Sequence, residues 1–119
     1  MTTQQIAQRL AALCREGELE TAQKELYADD AISIEPEASP GFDKETRGKD
    51  AILEKGHQFN SMVEKVYSYV VSEPLISGNT FAFTLEMDIK MKGRERDTMG
   101  ELCVYQVRDG KIVAEQFFM

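Results

Sequence analysis

The stretch from Thr80 to Met91 constrains this chain more than any other. Phe81, Phe83, Leu85, Met87, Ile89 and Met91 fall on one side of it, and Ala82, Thr84, Glu86, Asp88 and Lys90 on the other. Strict alternation over that length is the pattern of a β-strand with one face buried. Such a strand needs strand neighbours and a layer to cover its apolar face. Val66 to Ser72 predicts a strand before it, with Ser77-Gly78-Asn79 as the turn between them. Thr98 to Val107 and Lys111 to Met119 predict two more, joined across Arg108-Asp109-Gly110. The second half of the chain therefore reads as an antiparallel meander.

The covering layer has to come from the first half. Thr2 and Gln5 have the spacing of a capping box, and Ile6, Leu10, Leu13 and Cys14 follow at helical intervals until Gly17. A second short helix is expected from Glu18 to Tyr27, with Leu19, Ala22, Leu26 and Tyr27 facing inward, and Ala28-Asp29-Asp30 breaking it. Ala31 to Glu35 reads as a short strand stopped by Pro36, and Pro36 to Arg47 as a loop forming a lid or rim. Gly48-Lys49-Asp50 opens a third helix that runs to about Met62. Three helices and a short strand followed by a meander predict an α+β fold, a curved sheet wrapped over helices. At 119 residues and 42% apolar content, with 8 Gly and 3 Pro, residues 1–119 are expected to form one domain with one core.

Charge and composition remove several function classes. With 21 acidic against 14 basic residues the formal charge is −7, which disfavours a nucleic-acid partner. The one basic cluster, Lys90, Lys92, Arg94 and Arg96 around Gly93, fits a solvated hairpin tip. No run of apolar residues is long enough for a membrane span, and the first residues lack the pattern of a secretory signal. The 2 cysteines, Cys14 and Cys103, each sit in an apolar pattern and are expected as buried free thiols of a cytoplasmic protein. With 1 histidine and no ligand spacing, no metal centre is expected, and no phosphate-cradling or dinucleotide motif calls for a cofactor.

Several local strings recur in a familiar order: Tyr27-Ala28-Asp29-Asp30-Ala31 through Glu35-Pro36, Arg47-Gly48-Lys49-Asp50-Ala51-Ile52, Phe81-Ala82-Phe83-Thr84, and Asp109-Gly110-Lys111-Ile112-Val113. Together they resemble the nuclear transport factor 2-like superfamily, most closely its SnoaL-like and ketosteroid-isomerase-like branches. The resemblance implies a cone-shaped barrel enclosing an apolar small-molecule pocket, lined here by Leu10, Lys55, Phe59, Phe83, Leu85, Met87, Cys103, Tyr105, Glu115 and Phe117. It also implies a homodimer through the outer sheet face. Leu102 and Val104 support that independently, since they make the outward face of their strand apolar as well.

Glu35 immediately precedes Pro36, where ketosteroid isomerase carries its proton-shuttling carboxylate. A carboxylate beside an apolar cavity suits a general base; a rim glutamate paired with Lys44, Arg47 or Lys49 is the alternative. The isomerase also needs a Tyr and a protonated Asp as oxyanion donors. The resemblance places Leu10 and Cys103 at those positions, so ketosteroid isomerisation by that mechanism is not expected. Glu101 shares a strand face with Cys103 and is either a desolvated pocket acid or a partner of Arg94 or Arg96. Glu115 points outward if Asp109-Gly110 is a two-residue loop; it points inward, opposite Cys103, if Arg108-Asp109-Gly110 is a three-residue loop with a bulge, the arrangement the family spacing favours. His57 is a third, weaker acid/base candidate. Lys55 is either an exposed helix lysine or a buried amine paired with Glu35 or Glu101, and Tyr67 and Tyr69 are expected on one strand face. The functional expectation is a SnoaL-like protein acting by proton transfer as an isomerase, cyclase or dehydratase, with Glu35 as base and Glu101 as acid. The alternatives are a non-catalytic small-ligand binder and a dimeric interaction module.

Overall fold

A capped amphipathic helix starts the chain. In the computed structural model, which describes residues 1–119, α1 spans Thr3–Arg15. The Thr2 hydroxyl accepts from the Gln5 amide at 3.1 Å, and the Thr2 amide donates to the Gln5 side chain at 2.9 Å. Both ends of the capping box are therefore satisfied. Ile6, Ala7, Leu10, Ala11, Leu13 and Cys14 form the buried stripe. Helix α2, Leu19–Leu26, ends without a loop and passes directly into β1, Tyr27–Ile34. Tyr27 is therefore the first residue of a strand rather than the last of a helix, although it is buried as expected; Leu19, expected inward, is 40% exposed.

The loop expected from Pro36 to Arg47 contains a short strand, β2 (Glu45–Arg47), antiparallel to β1. Helix α3, Lys49–Met62, follows, with Ile52 as its one fully buried residue. It thus covers the edge of the fold rather than its centre. β3 (Val63–Val71) starts immediately after it, and β4 (Leu75–Ser77) is a short strand missed by the pattern. β5 spans Thr80–Met91 as the alternation predicts, and β6 (Arg96–Arg108) and β7 (Lys111–Phe118) complete the meander. The sheet runs β2-β1-β7-β6-β5-β3, with β4 on β5, and only the β1–β7 pair is parallel. It is a curved, open, mostly antiparallel sheet over three helices, the cone-shaped α+β fold expected.

The closed end of the cone is solid. Tyr105 stacks on Phe81 with ring centroids 4.9 Å apart and tilts against Phe83 at 5.3 Å. Leu10 and Cys103 are 0% exposed, Phe83 2% and Tyr105 3%. These four, expected to line a pocket, are buried members of the core cluster. No helix is long and apolar enough to cross a membrane. Cys14 and Cys103 are free and buried.

Candidate functional site

The half-open end of the cone collects the charged groups. Strand alternation puts Ala31 and Ser33 on one face of β1, Glu35 follows directly after its last residue, and α3 packs against this strand. Lys55 projects from α3 onto that face. Its Nζ donates to Ser33 Oγ at 2.7 Å and to Glu35 Oε1 at 3.0 Å. The Lys55 and Glu35 side chains keep 16% and 28% of their exposure, so the pair sits at a mouth open to solvent. Lys55 is thus the paired amine of the two alternatives. Glu35 takes Lys55 as its partner instead of Lys44, Arg47 or Lys49, and Arg47 and Lys49 pair with Glu45 and Asp29.

Glu101 reaches the same region from β6. It is the cross-strand partner of Leu85, so it faces inward, and its carboxylate lies 3.8 Å from the Cys103 thiol. Arg96 does not neutralise it; that guanidinium grips Asp88 on the outer sheet face at 2.9 and 2.8 Å. Burial, reinforced by the charge of Glu35, pushes the Glu101 carboxyl up to about 7. Half-buried Leu85 and Met87 on β5 and Phe59 on α3 supply apolar surface at this end. Phe117, paired with Cys103 across β6–β7, places its ring centroid 5.9 Å from Lys55 Nζ.

Glu115 faces inward, but for a reason neither loop length supplied. The turn is the two-residue Asp109-Gly110 type, both residues having positive φ (53° and 75°). A bulge between Gln106 and Val107 on one strand and Ile112 and Ala114 on the other leaves Val113 unpaired, and this restores the inward side. Glu115 consequently pairs with Tyr105, not Cys103. It is 4% exposed and accepts a hydrogen bond from the Tyr27 hydroxyl. Burial pushes its carboxyl upward, against the stabilising hydroxyls of Ser33 and Tyr27. Ser33 and Tyr27 were not singled out from sequence. The available signal was that Ser33 lies two residues before Glu35.

His57 is placed elsewhere. It lies exposed on α3, its Nε2 2.7 Å from Glu20 Oε1 on α2 and its Nδ1 3.7 Å from Glu54 Oε2, and these carboxylates raise its pKa. It braces two helices outside the mouth because helical periodicity turns position 57 away from Lys55. Tyr67 and Tyr69 also part company. A bulge between Val66 and Ser68 leaves Tyr69 opposite Met87 inside, while Arg96 stacks 3.7 Å from the Tyr67 ring on the outer face. One concavity reaches Glu101 and Leu85 as well as Gly100, Leu102 and Phe118, and another lies at the β5–β6 hairpin near Met91 and Arg94. The charged groups Glu35 and Lys55 line a mouth open to solvent. The mouth combines an ion-paired carboxylate, a second carboxyl able to hold a proton near neutral pH, and apolar walls. That combination suits proton transfer to and from carbon and oxygen.

Comparison with known proteins agrees with the fold and extends it. The model of the SnoaL-like domain matches residues 1–119. A Mesorhizobium loti protein assigned as a SnoaL-like polyketide cyclase is similar at 31% identity and a TM-score of 0.92, covering 100% of both chains. An NTF2-like protein of unknown function from Burkholderia pseudomallei matches at 14% identity and TM-score 0.83, over 100% of this chain and 92% of that one. TerC, crystallised with polyporic acid, matches at 14% identity and TM-score 0.80, over 99% and 92% of the two chains. No protein of curated function matches the sequence. With the family model matched end to end and this fold beneath it, the chain belongs to the SnoaL-like domain family.

Proposed function

We propose that the mouth of the cone catalyses proton transfer next to a carbonyl, as an isomerase, cyclase or dehydratase acting on a small, largely apolar molecule. The observation that carries this reading is the pairing of two unlike carboxyls. Glu35 is ion-paired with Lys55 at 3.0 Å, while Glu101, with no cation of its own, is displaced to about 7. Glu35 takes the proton from the carbon beside the carbonyl. Protonated Glu101 donates to the carbonyl oxygen, so that an enol rather than an enolate forms. Return of the proton to another carbon isomerises the substrate, and attack of the enol on a second carbonyl closes a ring. Leu85, Met87, Phe59 and Phe117 provide the apolar contact. The co-crystal of TerC with polyporic acid supports a small molecule as the ligand class.

The test uses 2-tetralone, an apolar ketone with an activated α C–H, in deuterium oxide. The protein is expected to speed α-deuteration above buffer, and Glu35→Gln to lower that rate about 10²- to 10⁴-fold. A wild-type rate equal to buffer, or a Glu35→Gln variant as fast as wild type, overturns the reading.

We also infer that two copies pair through the outer sheet face. Leu102 and Phe118 are cross-strand partners and are 41% and 46% exposed, and Met119 beside them is 79% exposed. That contiguous apolar surface is what a homodimer of this fold would cover.

A further inference from the structure

Glu115 takes no part in the proposed chemistry, yet it is the most deeply buried acid in the chain at 4% exposure. A buried carboxyl in a fold of this size normally has a cation beside it or a task. Its neighbours form a directed chain. Lys55 Nζ donates to Ser33 Oγ at 2.7 Å, which leaves the hydroxyl proton of Ser33 free for another acceptor. The carboxyl beside it is Glu115, the direct partner of Ser33 in the parallel β1–β7 pair, and the hydroxyl acts against burial to favour its charged form. Tyr27 donates to Glu115 from the far side. At its outer end the chain continues from Lys55 to Glu35 at 3.0 Å.

The charges facing Glu115 come from every element around it: Cys14 on α1, Tyr27 and Glu35 on β1, Lys55 on α3, and Glu101, Cys103 and Tyr105 on β6. Burial pushes both thiols and both phenols upward, so they stay neutral near pH 7. One ammonium therefore faces three carboxyls. Three ionised carboxylates with a single cation is a costly state in a half-buried site, so the cluster retains protons, and interacting carboxyls share them. Two opposed forces act on Glu115. Burial favours its acid form, and two hydroxyl donors favour its carboxylate.

We propose that Glu115 is the buried proton reserve of the mouth, connected to Glu35 through Ser33 and Lys55. The relay balances as one concerted shift along the donors in place. When Glu35 holds a proton taken from a substrate, that proton moves to Lys55 Nζ as a Lys55 proton moves to Ser33 Oγ and the Ser33 hydroxyl proton moves to Glu115. One proton has passed from Glu35 to Glu115, Lys55 is again an ammonium, and Glu35 is free to accept another. The reverse shift, with the Ser33 hydroxyl turned toward Lys55, returns the proton to Glu35. In this arrangement Glu115 is a positioning residue that touches no substrate. The use of the relay rests on the proposed function; its existence does not, and the test requires no turnover.

The test is a carbon-detected NMR titration of the side-chain carboxyls from pH 4 to 9. In the wild type the Glu115 carboxyl carbon is expected to respond in two steps, one tracking Glu101. Glu115→Gln is expected to lower the Glu101 midpoint by about one unit, because a shared charge has been removed. Should that variant fail to fold, Glu101→Gln at the half-buried mouth gives the reciprocal reading, a Glu115 midpoint lower by a similar amount. Ser33→Ala is expected to raise the Glu115 midpoint, since its carboxylate loses a donor. A Glu101 curve that superimposes in the Glu115→Gln protein, or a Glu115 midpoint unmoved by Glu101→Gln, overturns the shared proton. A Glu115 midpoint unmoved by Ser33→Ala overturns the route.

Discussion

At the scale of single residues, Glu101 has the environment with the sharpest consequence. Its carboxyl is displaced upward from 4.5 to about 7, first by burial and then by the charge of Glu35. Between those two values the folded protein holds a proton that the unfolded chain has released. Stability is therefore full below about pH 4.5 for this group and falls as pH rises through about 7, where the native state must accept the charge. One pH unit of displacement corresponds to about 1.4 kcal/mol, so the loss is on the order of 2 kcal/mol after screening at the open mouth. Urea midpoints measured from pH 4.5 to 8 should decline, and Glu101→Gln should flatten the decline; an equal slope in the variant assigns the effect to another group. Glu35 and Glu101 could be selected from the sequence because the Glu-Pro junction and strand alternation place them, and Lys55 because it follows Ile52 by three residues on the third helix, where the resemblance points a side chain inward. Ser33 and Tyr27 could not. A serine between two isoleucines is silent about what faces it, and Tyr27 hides at a helix-to-strand junction that has no turn residues.

Elements were legible where one period ran uninterrupted. β5 has the bounds that its alternation predicts, and α1 starts at its capping box. Bulges were not legible, since an unpaired residue leaves no mark in composition while reversing every side chain beyond it. That is why Tyr67 and Tyr69 were expected together and lie on opposite faces, and why Glu115 turns inward behind a loop that alone would turn it out. The end of α1 shows the opposite case, a single glycine that specifies its own geometry. Gly17 has φ +74°, and a Cβ built there would lie 3.0 Å from the Tyr69 ring. The Glu18 amide closes the helix on the Leu13 carbonyl at 2.8 Å across this residue. Gly17→Ala adds left-handed strain to a contact with the inward-facing tyrosine and should cost about 1–2 kcal/mol. Chemical denaturation measures it, and a loss within error would mean that the helix end relaxes freely.

At the scale of the whole molecule, the cone divides its labour by depth. The closed end is spent on stability, with Phe81, Phe83 and Tyr105 filling it, and the open end keeps Glu35, Lys55 and Glu101 within reach of solvent. Periodicity identifies which residues face the interior but not how much room their volumes leave there. The outer face poses the complementary question. Leu102 and Phe118 lie side by side across β6 and β7, with Thr84 opposite Leu102 on β5 and Glu86 opposite Gly100. If this face joins two copies, the 13.5 kDa chain sediments at twice that mass. Leu102→Glu then places a carboxylate in the apolar centre, one step from Glu86 and facing its own copy across a twofold contact. A desolvated, unpaired charge of this kind costs several kcal/mol of association. The variant should sediment as a monomer while retaining the native far-UV spectrum, because position 102 already accepts solvent in the isolated chain. A variant that remains dimeric places the interface on another surface, and a wild type that sediments as a monomer removes the pairing altogether.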